Sequence, residues 1–153
     1  MRLRLSILTA VLSFAVSGCA TVQYGAKDTE ASLQKLLPVS TKTSLYVCRE
    51  AAVFFGAGNR TTAIVDGRPI GTLKPGNFAH VIVEPGSHEI YVKHNPGGSS
   101  GILKITSQPS EVAIIWVGMT GAGFGVLTVD YFSSRTEAEQ CVKSAQYAVQ
   151  ADS

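Results

Sequence analysis

Excess charge of one sign is missing from this chain. Among 153 residues there are 13 Lys and Arg against 11 Asp and Glu, and the surplus of two equals Arg2 and Arg4 at the N-terminus. The rest is electrically balanced and offers no broad field to phosphate backbones, so nucleic acid is not an expected partner. Histidine is scarce as well. His80, His88 and His94 are the only three, and no Cys, Asp or Glu repeats beside them at ligand spacing. His88 and His94 lie six apart and would share a face of one strand, but without further ligands they are read as surface or turn residues. No metal and no cofactor is expected. Paired carboxylates are also missing: Glu50, Asp66, Glu84, Glu89 and Glu111 are scattered over strand ends and turns, and read as solvated surface rather than as an acid and base. The glycine-rich stretch from Gly118 to Gly125 has no Gly-Lys-Ser/Thr ending, so it reads as a bulge or tight connection between two apolar strands, not a phosphate loop.

An apolar run long enough to span a bilayer is missing too, and the longest one sits at the start. Leu5 to Val16, broken by Ser6, Thr9 and Ser13, falls short of the roughly 20 residues a spanning helix needs. It is preceded by Arg2 and Arg4 and followed by Ser17 and Gly18, the three-part layout of a secretory signal over residues 1–18. Val16-Ser17-Gly18-Cys19 resembles the lipobox of bacterial lipoproteins, which implies a diacylglyceryl group on Cys19 and cleavage before it. One acyl chain holds only marginally, whereas two or more anchor a water-soluble body durably. The membrane is therefore an expected partner, through Cys19. The other reading is an ordinary cleaved signal with an incidental cysteine. Ala20 follows where no Asp stands, and by resemblance to Gram-negative sorting this implies the outer membrane, with the domain facing the periplasm.

Residues 19–42 are polar and rich in small side chains, and are expected to be a flexible tether. Leu33, Leu36 and Leu37 form a short apolar group ended by Pro38, which would pack on the domain or the membrane surface, or serve as a partner-binding helix. From Thr43 to about residue 150 the chain is punctuated regularly. Asp66-Gly67, Pro75-Gly76, Pro85-Gly86 and Pro96-Gly97 recur every nine to eleven residues, the rhythm of a meander of short strands. Strands are predicted at Thr43–Arg49, Arg60–Val65, Arg68–Leu73, Asn77–Val83, His88–Lys93, Gly101–Ser107, Val112–Val117 and Phe124–Tyr131, with Val112–Val117 covered on both faces. Ser134 and Glu137 form a capping-box pattern, and Ala138, Cys141, Val142, Ala145 and Ala148 or Val149 share a helical face, which predicts a helix over 134–150. The expected fold is mainly β: an antiparallel β-sandwich of about seven or eight strands with one C-terminal helix, after a signal peptide and tether. Phe54, Phe55, Phe78, Tyr91, Trp116, Phe124, Tyr131 and Phe132 are its candidate core aromatics. If exposed instead, Phe54 and Phe55 would mark a binding edge.

Leu45-Tyr46-Val47-Cys48-Arg49, Ile64-Val65-Asp66-Gly67-Arg68-Pro69-Ile70-Gly71, Val83-Glu84-Pro85-Gly86-Ser87-His88 and a late Cys141 occur in an order that resembles the bacterial family known as domain of unknown function 2846. The resemblance covers about residues 43–141 and implies a small β-sandwich, often behind a lipoprotein signal, with no activity assigned. Cys48 and the glycine-rich 118–125 stretch depart from the family's pattern.

With Cys19 lipidated, Cys48 and Cys141 remain, an even pair in an oxidising compartment, and a disulfide between them is expected. Two buried free thiols are the other reading, and a catalytic cysteine is the least favoured, since no histidine adjoins either one in sequence. The expected function is a lipid-anchored periplasmic binding or structural module without catalysis, its partner an envelope protein or a cell-wall component. The alternatives are an accessory factor for a secretion or transport complex, and a cysteine-dependent enzyme. The oligomeric state is not encoded in any recognisable motif.

Overall fold

The computed structural model describes residues 21–51, 58–95, 97–120 and 126–150. Among them, the chain forms β1 (Gln23–Tyr24), α1 (Lys27–Leu33), β2 (Thr43–Arg49), β3 (Arg60–Val65), β4 (Arg68–Leu73), β5 (Asn77–Val83), β6 (Gly86–Asn95), β7 (Leu103–Ser107), β8 (Val112–Thr120), β9 (Val126–Tyr131), α2 (Arg135–Ser144) and β10 (Gln146–Val149). The first four predicted strands keep their expected ends as β2 to β5. Two sheets face each other in a sandwich: six strands in the order β1-β10-β5-β2-β8-β9, and four in the order β4-β3-β6-β7. The turn chemistry matches the sequence. Asp66 and Gly67 both have positive φ in the β3–β4 hairpin, and Gly76 supplies the positive φ after Pro75.

Alternation along β2 divides its side chains between two cores. Leu45 and Val47 join Ile115, Val117, Ile90 and Val92 between the sheets, whereas Tyr46 and Cys48 join Phe78, Ile114, Cys141 and Val142 under the helices. Every residue of β2 is buried. β8 is likewise an interior strand with Ile114 and Ile115 buried on opposite faces, as a continuous apolar run predicts. The ends of β2 close the sandwich. Thr43 Oγ1 hydrogen-bonds Ser107 Oγ and Gln108 O at 2.9 and 2.8 Å across one end. At the other, Arg49 reaches β3 and β4. The first is the proximal end, where β2 starts and β5 finishes, and the second is the distal end.

Four expectations need correction. First, the six-stranded sheet is mixed rather than antiparallel: β2 runs parallel to β8, and β10 parallel to β5. β2 is buried on both faces, and its parallel neighbour is reached only by passing through the whole second sheet, as parallel pairing requires a long crossover. Second, there are two strands beyond the expected eight, β1 and β10, which pair antiparallel at the sheet edge.

Third, the predicted C-terminal helix stops at Ser144. The Gln34 side chain hydrogen-bonds the Ala145 carbonyl at 2.9 Å, Glu30 accepts the Tyr147 amide at 2.7 Å, and Tyr147 stacks on Phe78. These contacts with distant residues override the helical period. The start of the helix is as read, with Ser134 Oγ accepting from the Glu137 amide.

Fourth, residues 21–42 are not a flexible coil. Val22 packs against the inter-sheet core, Leu36 is buried and Leu33 packs under Tyr46, so two of the three leucines bind the domain itself, while Leu37 is 63% exposed. Core expectations also shift at the margin: Tyr131 is 57% exposed, because β9 is the edge strand.

Glu30 carries much of this docking. Burial alone would raise its pKa, but hydrogen bonds from Lys27 and the Tyr147 amide, with the Lys27 charge, outweigh that and hold it below the ordinary carboxylate value. Glu30→Ala strands the Tyr147 amide and is expected to lower stability by about 1–2 kcal/mol in urea unfolding. A loss near zero would mean that the segment is not docked.

Candidate functional site

β2 and α2 bring together the two cysteines that the sequence left as a pair. Cys48 and Cys141 are joined in a disulfide, 93 residues apart, with Cα atoms 6.3 Å apart. Both are buried within the helix-side core. A cleft of about 650 Å3 opens beside the bond, between Arg49, Ala51 and Gly76 on one side and Gln140 and Ser144 on the other. The disulfide consumes both thiols, so neither cysteine is available as a nucleophile while it is intact.

Arg49 shares its face with Leu45 and Val47 and is therefore directed into the sandwich mouth, only 3% exposed. Its Nη1 donates to Asn59 O at 2.9 Å, Leu73 O at 3.3 Å and Thr61 Oγ1 at 3.4 Å. Burial lowers its pKa from the ordinary value, yet a guanidinium stays charged throughout the working range. The neutral acceptors join β2 to β3 and β4 of the facing sheet and plug the distal end. A second, smaller cleft of about 210 Å3 lies over it, with His94, Ser99 and Met119 among its walls. Sequence reading passed over Arg49, although its period-two register with Leu45 and Val47 was the available signal.

The histidines divide into distinct environments. His88, expected at the surface, is buried: Nδ1 lies 2.7 Å from Asp66 Oδ2 and Nε2 lies 2.8 Å from Glu84 O. Both ring nitrogens meet oxygen acceptors, so the ring staples two proximal turns and presents no free nitrogen to a metal or substrate. Asp66 is correspondingly not a free surface carboxylate. Among the described residues no group of three His, Cys, Asp or Glu side chains is arranged to hold a metal.

His80, which sequence reading did not pair with anything, has Nε2 2.8 Å from Ser44 Oγ and its ring 4.5 Å from that of Tyr46. A serine beside a histidine is the start of a nucleophile and base. Here Ser44 is 1% exposed, and burial lowers the His80 pKa from 6.5 to about 4. A base so weak, serving a hydroxyl that solvent does not reach, is poorly matched to chemistry at neutral pH.

Gly118 shows why one glycine of the 118–125 stretch is needed. A Cβ there would overlap the Trp116 ring, and the indole Nε1 donates to Glu50 at 3.0 Å. The rest of that stretch from residue 121, Phe124 included, lies outside the described residues. So do Cys19, the 1–18 segment and the candidate binding-edge pair Phe54 and Phe55. Among the described residues no helix is long and apolar enough to cross a membrane. Comparison with protein-family models finds no match, and neither does comparison with curated proteins, so the family resemblance rests on its own motifs.

Two outcomes are expected. Cys48→Ala with Cys141→Ala opens a long loop and should cost about 2–5 kcal/mol of stability in urea unfolding; a loss below about 1 kcal/mol would show that the bond is not a main support. For His80, the unfolded chain takes up its proton near pH 6.5 while the folded ring resists until about pH 4. Its contribution is therefore complete above pH 6.5 and drains away as pH falls towards 4. In His80→Phe, the loss of stability between pH 7 and pH 4.5 should shrink by roughly 2 kcal/mol. An unchanged loss would remove His80 as the titrating group.

Proposed function

We propose that this chain is a lipid-anchored module of the bacterial envelope, held through Cys19 on the periplasmic side of the outer membrane, that binds a protein or cell-wall partner and performs no catalysis. The observation that carries this reading is the buried Cys48–Cys141 disulfide. Structural disulfides belong to oxidising compartments, and their persistence in a reducing cytosol is rare. That agrees with the signal-like layout of residues 1–18 and with the lipobox-like Val16-Ser17-Gly18-Cys19. A member of the family known as domain of unknown function 2846 would fit the same description.

The non-catalytic part of the proposal draws support from the same groups that a hydrolase or thiol enzyme would require. Both cysteines are bonded to each other, His88 has both nitrogens engaged, and the Ser44–His80 pair joins a buried hydroxyl to a half-buried, weak base. The binding surface in this reading is the distal end, where the clefts around Arg49 open. An accessory role in a secretion or transport complex differs only in the partner that such a surface would meet.

Cys19→Ser is expected to abolish incorporation of radiolabelled palmitate and to move the protein from the membrane to the soluble periplasmic fraction. Unaltered membrane association and labelling would overturn the anchor.

A further inference from the structure

We infer that the bilayer surface is in contact with the proximal end of the sandwich, which is held there on a leash of a few residues. This rests on the proposed lipidation of Cys19, and takes that reading further by fixing which face meets the membrane. Val22 is already packed against the inter-sheet core, and Gln23 is paired with Val149. Only Ala20 and Thr21 separate Cys19 from Val22. Whatever their path, three residue steps span at most about 11 Å. A coil running to residue 42 would have allowed roughly 25–30 Å.

The direction in which the chain enters β1 follows from the strand register, and the leash starts from that side. β1 is antiparallel to β10, and β10 is parallel to β5, with Tyr147 opposite Phe78. Traced backwards from Gln23, the chain therefore runs with β5, towards Val83 and the proximal turns. Acyl chains at Cys19 have to enter the hydrocarbon, so the headgroup layer lies within about 11 Å of Val22 on that side. The ten residues of β6 make the sandwich about 30 Å long, which leaves the clefts at Arg49 facing away from the bilayer.

The proximal surface suits a headgroup layer without demanding charge. A cleft of about 460 Å3 there carries Ile82, 50% exposed, between Lys42 and Arg68. Glu84 pairs with Lys42, and the Asp66 carboxylate, bonded to His88, also feels the Arg68 charge, so the two basic side chains are offset by acidic neighbours. Contact at this end depends on the covalent anchor rather than on anionic lipid, and is expected to survive high salt.

The test uses the full lipidated protein, its disulfide intact, in vesicles of phosphatidylethanolamine and phosphatidylglycerol doped with nitroxide-headgroup lipid. A fluorophore is placed at Arg68→Cys, at the proximal end, or at Ser99→Cys, at the distal end; both side chains are exposed. The expected result is severalfold stronger quenching at position 68 than at 99, unchanged by salt, and abolished by about 20 Gly-Ser residues inserted between Ala20 and Thr21. Equal quenching at the two positions in protein that floats with the vesicles would overturn the docking while leaving the anchor standing. A difference that survives the insertion would also overturn it, since the leash would then not be what holds the end down. Protein that fails to float would overturn the anchor itself.

Discussion

The burial of β2 on both of its faces is the constraint that organises this domain. Its odd residues, Thr43 to Arg49, serve the inter-sheet core and close that core at either end. Its even residues, Ser44, Tyr46 and Cys48, meet the helices, His80 and the disulfide. A strand with no solvated face cannot sit at an edge, and its pairing with β5 on one side and β8 on the other follows. The helices are needed for the same reason. Without α1 and α2, Tyr46 and Phe78 would be an apolar sheet face open to water.

Much of this was legible in the sequence where the interactions are local. Asp66-Gly67 and Pro75-Gly76 fix turns through backbone conformation alone, so β2 to β5 keep their predicted ends. Ser134 likewise caps α2 through an oxygen three residues from its partner amide. What failed to show depended on contacts between residues far apart. Gln146–Val149 carries the helical period of Ala145 and Ala148, yet the Glu30 carboxylate, more than a hundred residues away, holds it as a strand. The same contact explains why residues 21–42, polar and unpatterned, are ordered. Glu30 and Gln34 are polar residues whose partners are backbone groups of β10 and of the C-terminus of α2, and no hydropathy pattern reports such pairs.

The candidate sites follow that division. Cys48 and Cys141 were readable as a pair from their number and from the expected compartment, and the fold places them in one core. His88 is not readable as buried, because a polar residue on an inward register is visible only once the register is known, and Arg49 is readable only through its period-two spacing with the apolar Leu45 and Val47. The docking of β1 also changes what an anchor at Cys19 would mean: a short covalent leash sets the orientation of a rigid body, whereas a long one only limits its distance from the bilayer. In that orientation the distal end, with Arg49 at its mouth, is the part of the domain left for a partner.

The anchor and the orientation it imposes both depend on the chemistry of Cys19. Mass spectrometry of the protein extracted from cell membranes reads it most directly. The predicted N-terminal fragment begins at Cys19 and carries the added mass of a diacylglyceryl group; a fragment that begins at Met1, or at an unmodified Cys19, would contradict the account.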